Sequence, residues 1–197
     1  MSSSFDLNPI IPKGTAMLTQ DGTHTIKHLL SSLSLARPVI VGDTRNSSLM
    51  KINRTESFDP ANFMERWGLE ILEQDERSIA FEEIDPSKIF LQSIFTGENV
   101  IRGEERLKHL RQAGCICLDA KVFQTLWENQ RLIPENWKGT PENPKHIFFD
   151  GTVLRNPFGR YVVTLYWDHD DKWHWVCRLL DAGGWNANDL SAVLKGY

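Results

Sequence analysis

Residues 161–185 read YVVTLYWDHDDKWHWVCRLLDAGGW and hold four of the chain's seven tryptophans. Side chains alternate along a strand, so the position of the turn decides which of these residues are buried. With the turn at Asp168–Lys172, Trp167 stands opposite Trp173, Leu165 opposite Trp175, and Val163 opposite Cys177. That face is large and apolar, and it is expected to meet the core. The reverse face pairs Tyr166 with His174, Thr164 with Val176, and Val162 with Arg178. It is mixed in character and runs into an acidic turn. The tryptophans therefore read as scaffold, and the polar residues between them as display. A slip of one residue would exchange the two faces.

Outward from this hairpin the pattern continues as strands. HIFFDGTVLRNPFGRYVVTLYW (146–167) and KWHWVCRLL (172–180) read as an antiparallel meander, with turns near Asn156–Gly159 and Asp168–Lys172. NDLSAVLK (188–195) is expected to form a short last helix. Upstream, GEERLKHLRQAG (103–114) reads as a helix with acids in its first turn, bases later and Gly114 at its end. A second helix lies within 118–137, with Asp119 as cap, Phe123, Leu126 and Trp127 as apolar face, and Pro134 as stop. Residues 67–95 suggest strands around a turn at Asp85-Pro86, and PENPK (141–145) a loop. In residues 1–57, rich in Ser, Thr, Pro and Asn, 24–35 could form a short helix and 37–43 a buried strand. The expected division is an N-terminal extension over 1–57 and one α+β domain over 58–197, with a small antiparallel sheet and two main helices.

Composition narrows the function. The chain has 197 residues and a formal net charge of −4, with no basic stripe, which argues against nucleic acid as the main partner. No apolar run approaches the roughly 20 residues of a membrane span, and no secretory signal is visible. The default compartment is the cytoplasm, where three cysteines, an odd number, fit free thiols better than disulfides.

All 23 Glu, Gln and Met residues lie within residues 1–150, and none in 151–197. In proportion to length the tail should hold about five. It uses instead Asp, His, Asn, Tyr, Arg, Cys, Gly, Ala, Leu and Val. Each of these types is reached from an asparagine codon by changing its adenines, whereas Glu, Gln, Met, Lys and Trp are not. Lys172 is the one exception between the tryptophans. Strands disfavour Glu, which contributes to the bias.

Residues 58–197 resemble a group of short bacterial proteins, through EQDERSIAFEEID, GEERLKHLRQAG, LDAKVFQTLWENQRLIPENWK, IFFDGTVLR and the ending RYVVTLYWDHDDKWHWVCRLLDAGGWNANDLSAVL. In that group the tryptophans of the ending are kept while the residues between them differ. This is similar to the variable proteins of diversity-generating retroelements, which rewrite adenines in a short C-terminal coding region. The resemblance implies a C-type-lectin-like fold, a variable region over about 160–189, and a ligand-binding role without catalytic residues or cofactor. Leu179 stands where the pattern favours Trp, and Leu190 where it favours Pro.

The ligand-binding residues so implied are Tyr166, Asp168, His169, Asp170, His174, Val176, Arg178, Asp181, Asn186 and Asn188. The partner would be a protein or glycan, with no nucleic acid and no membrane, and the chain a monomer or small homo-oligomer. The competing reading is a metal-dependent or Asp/His hydrolytic enzyme built on the Asp168–His174 cluster. Against it, the cluster has no defined ligand spacing, and no Ser or Cys sits in a nucleophile elbow. WNAND (185–189) and PEN (134–136, 141–143) match neither the order nor the spacing of the calcium motifs of sugar-binding C-type lectins.

The remaining candidates have plainer readings. His24 and His28 share a polar helix face. His109 reads as solvated, and His146 as a turn contact at a strand start. Cys115-Ile116-Cys117 lacks redox spacing. Trp127 and Trp137 read as core, and Glu104 and Glu105 as helix N-terminal acids.

Overall fold

The structure is a computed structural model that describes residues 49–64, 67–94, 100–140 and 142–196. The expected helix 24–35, the strand 37–43 and the His24–His28 pair lie outside the described residues. In chain order the elements are β1 (Met50–Lys51), α1 (Pro60–Met64), β2 (Glu70–Gln74), α2 (Glu76–Ile79), β3 (Glu83–Ile84), β4 (Phe90–Gln92), α3 (Gly103–Gln112), β5 (Ile116–Cys117), α4 (Ala120–Glu128), β6 (His146–Phe148), β7 (Thr152–Asn156), β8 (Gly159–Trp167), β9 (Trp173–Leu179) and β10 (Asp189–Leu194). Mixed helix and mostly antiparallel sheet make this an α+β protein.

Strand β8 is the axis of the sheet. β9 lies along one edge of it, and β7 and β6 share the other, β7 at the Tyr161 end and β6 at the Tyr166 end. From there the sheet forks. β2 continues from β7, while β10 pairs in parallel with β6 and antiparallel with β4 and β5. The β8–β9 register follows the alternation without a break: Trp167 opposes Trp173, Leu165 opposes Trp175, and Val163 opposes Cys177. The tight turn between β7 and β8 needs Gly159, whose φ is 151° and whose Cβ would lie 2.5 Å from Leu179 Cδ1. In the β8–β9 turn, Asp171 takes the left-handed conformation (φ 57°), which Asp tolerates better than most residues.

The two longer helices cap opposite faces of this sheet. Phe123 and Leu126 of α4 pack with Val163, Leu165, Trp173 and Cys177. Trp175 sits edge-on to Phe123 at 5.9 Å and to Trp127 at 6.4 Å. On the other face Leu107 of α3 packs with Phe148, Val153, Val162 and Trp185. Arg106 of α3 is buried with them, its guanidinium bonded to Asp150 at 2.7 and 3.0 Å and to Ser191 at 2.5 Å. The face expected to be display is thus half covered. Val162 and Thr164 are buried, while Tyr166 is half-buried and Val176 is exposed.

Local chemistry accounts for the helix ends. Asp119 caps α4 by accepting the Lys121 and Val122 N–H groups, and is itself held by Arg54 and by the Ser78 hydroxyl. α4 ends at Glu128, ahead of Pro134, and short 3₁₀ turns fill the interval. α2 was hidden in the expected strand region; Asp75 caps it by accepting the Arg77 N–H.

One expectation is overturned. Residues 189–194 form β10, a strand, where the sequence suggested a helix. Its side chains are buried on both faces between β6 and β4, and a short, doubly buried apolar run has no period that separates strand from helix.

Candidate functional site

The open end of the sheet carries a row of three rings across three strands. Tyr166 of β8 lies between His146 of β6 and His174 of β9, with ring centroids 5.8 and 5.7 Å away. One step along the strands the next row is Phe148, Thr164 and Val176. Beyond it, Arg178 covers the Trp185 ring at 4.2 Å. His146, Phe148, Thr164, Tyr166, Val176 and Arg178, with Cys177 and Leu179, line a shallow depression of about 480 Å³.

The charges around it are matched. Arg178 donates to Asp189 Oδ1 at 2.6 Å and to the Gly184 carbonyl at 3.1 Å. Asp189 is buried, accepts the Asn186 N–H at 2.7 Å on its other oxygen, and lies 3.4 Å from His146 Nδ1. Burial alone would raise its pKa. The His146, Asn186 and Arg178 contacts outweigh that and hold the carboxyl below its ordinary value.

At the turn, Asp170 bonds the His174 ring at 2.9 Å, and Asp168 accepts both the backbone N–H and the ring nitrogen of His169. Asp170 is lowered chiefly by its bond to His174, and Asp168 chiefly by the His169 N–H. Carboxylate and imidazole atoms of Asp168, Asp170 and His174 lie within 4.8 Å of one another, the one such group among the described residues. All three are at least partly exposed, and their atoms already bond each other and neighbouring side chains.

The structure thus brings Tyr166, Asp168, Asp170, His174, Val176 and Arg178 to one end of one face, with His169 in the turn beside them. Asn186 and Asn188 border it, because the Asn188 carbonyl accepts the His146 N–H and the Asn186 side chain accepts the Asn188 N–H. Asp181 is not part of the group. It follows β9 near Gly159, about 23 Å of strand away from Tyr166.

His146, Asp189 and Thr164 complete the site without having been singled out. His146 was assigned a turn contact and Asp189 the start of a helix, so neither was placed beside Tyr166. Pairing of β6 with β8 was the missing signal.

Among the described residues, nothing elsewhere is better equipped for chemistry. A cavity of about 610 Å³ lies between β2, α2 and α3, and most of its charged lining is paired, Asp75 with Arg77, Glu73 with Arg111 and Asp150 with Arg106. Burial pushes the Cys117 and Cys177 thiols up to about 12, which leaves both protonated and unreactive. No family model, no curated protein and no solved structure matches the chain. Among the described residues, no helix is long and apolar enough to cross a membrane.

Proposed function

We propose that this chain is a recognition protein that displays a diversifiable surface on a C-type-lectin-like scaffold, and that the surface is the open end of the β8–β9 face. One observation carries the reading. The β8–β9 register sends Trp173, Trp175, Leu165 and Val163 to the core, and turns Tyr166, His174, Val176 and Arg178 the other way. Trp173 and Trp175, a type that adenine rewriting of asparagine codons cannot produce, therefore hold the fold, while types that it can produce supply the exposed Val176 and the half-buried Tyr166 and His174, where change costs little. Substitutions at exposed positions usually stay within about 0.5 kcal/mol. Tyr, Asp, Asn and His side chains make adaptable contacts of the kind antibody loops use.

Two further features support the scaffold assignment, namely the forked, mostly antiparallel eight-stranded sheet and the two longer helices on its opposite faces. The role is binding rather than catalysis, toward a protein or glycan. A monomer or small homo-oligomer would present it, and several copies would add avidity to a weak site.

The deciding test is the DNA beside the coding region. A reverse transcriptase and a near-copy of the 3′ coding segment, differing at adenines, are expected there. A locus with neither removes the basis for diversification. An enzyme built on Asp168, Asp170 and His174 is the second reading, favoured by the closeness of their ligand atoms. It would require those residues to stay fixed among close relatives, whereas a recognition surface lets them vary.

A further inference from the structure

We infer that the depression beside Tyr166 is a socket for a single phenol ring, the side chain of a tyrosine on a protein partner. The inference rests on the reading of this face as a recognition surface and names what that surface takes.

The floor of the depression supplies the first argument. Thr164 lines it, is 1% exposed, and its Oγ1 has no hydrogen-bond partner among the described residues. A buried hydroxyl without a partner is costly, and an arriving group that bonds it recovers that cost. The unpaired atom lies between apolar neighbours, since Phe148 and Val176 flank Thr164 across the two adjacent strands. Val176 is 41% exposed, and the next row offers the Tyr166 ring stacked on His174 with 26° between their planes. A flat ring can therefore lie against the walls while one polar atom meets the floor.

Charge supplies the second argument. The one guanidinium at the site, Arg178, is taken up by Asp189 and the Gly184 carbonyl. Asp189 is filled by Arg178 and the Asn186 N–H, and Asp170 by His174. Among the described residues that line the depression, Arg178 is the one Lys or Arg and is already paired, and none is a carboxylate. The occupant is uncharged.

A sugar ring is uncharged too, but it carries hydroxyls around its whole rim, and here most of them would face Phe148 and Val176. A phenol has one hydroxyl at the end of an apolar ring and fits this arrangement. Tyrosine is also among the residues that dominate protein interfaces when they fill such pockets.

The test uses the full-length, ¹⁵N-labelled chain titrated with N-acetyl-tyrosinamide, N-acetyl-phenylalaninamide and methyl β-glucopyranoside. The amide signals of Thr164, Tyr166, His174 and Val176 are followed. The tyrosine probe is expected to shift these signals and to bind about fivefold more tightly than the phenylalanine probe, the value of one net hydrogen bond. Thr164→Val is expected to erase that preference while leaving the phenylalanine probe's affinity unchanged. Thr164→Ser, which keeps the hydroxyl, is expected to preserve it. Equal binding of the two amino-acid probes overturns the inference. So does the absence of any shift at these residues, or tighter binding of the glucoside. None of these outcomes bears on the DNA test of the recognition reading, so the two can fail separately.

Discussion

Tyr166 and His174 stand directly opposite one another on β8 and β9, their ring centroids 5.7 Å apart and their planes 26° from parallel. This pairing follows from the turn at Asp168–Lys172, closed by the Asp168 N–H donating to the Lys172 carbonyl at 3.0 Å. A turn one residue longer or shorter would bring the indoles to the surface. The stack also joins turn to sheet, because His174 is held from its other side by Asp170.

The Arg178–Asp189 pair ties the end of β9 to the start of β10, and its carboxylate is buried. A carboxyl whose folded pKa lies below its ordinary value of 3.8 contributes stability above that value, and the contribution is lost as pH falls through the folded value. Asp189→Asn is therefore expected to be less stable than the native chain at pH 7, with the gap closing below about pH 4. Urea denaturation across pH 2.5–7 measures it. A gap that stays constant with pH would show that Asp189 is not ionised in the fold.

Thiol labelling reports on the core. Cys117 and Cys177 are buried with pKa values pushed up to about 12, whereas Cys115 is half-buried. The native protein is expected to react with a thiol reagent at no more than one cysteine, Cys115, and the unfolded protein at all three. Rapid labelling of Cys177 in the native state would place β9 the wrong way round.

The Asp168–Asp170–His174 group is expected to serve display. Its carboxylates are lowered chiefly by hydrogen bonds within the turn, so the turn is expected to hold without a cation. The melting temperature should not move when a chelator is added. A drop of several degrees would mean a metal contributing folding energy directly, and would favour the enzyme reading.

The hairpin was legible from its alternation because one face is packed with indoles and the other is not, and that contrast sets the register. Asp119 was legible as a cap because a carboxylate ahead of an apolar helical face has few other uses. β10 was misread because a six-residue run with four buried residues, flanked by strands on both edges, carries no clear period. His146 and Asp189 were missed for a related reason. Their roles depend on β6 pairing with β8 and in parallel with β10, contacts between segments that no local pattern encodes. Covering of Val162 by the α3 side was likewise invisible, since it depends on where a helix more than fifty residues earlier comes to rest.

Scaffold and surface should separate under mutation. Tyr166, His169 and His174 are open to solvent at the sheet end and turn, so replacing all three by Ser is expected to change stability by no more than about 1 kcal/mol. Trp175 packs among Phe63, Phe123 and Trp127, so Trp175→Ala is expected to cost about 3–5 kcal/mol. Arg178 falls between the two classes. It reaches the displayed face, but its loss leaves the buried Asp189 without its cation, and Arg178→Ser should cost about 2–4 kcal/mol. Chemical denaturation of the three variants ranks them without any knowledge of the ligand. If the triple variant unfolds while Trp175→Ala is tolerated, the register is inverted. The indoles, and not Tyr166 and His174, would then be the binding face.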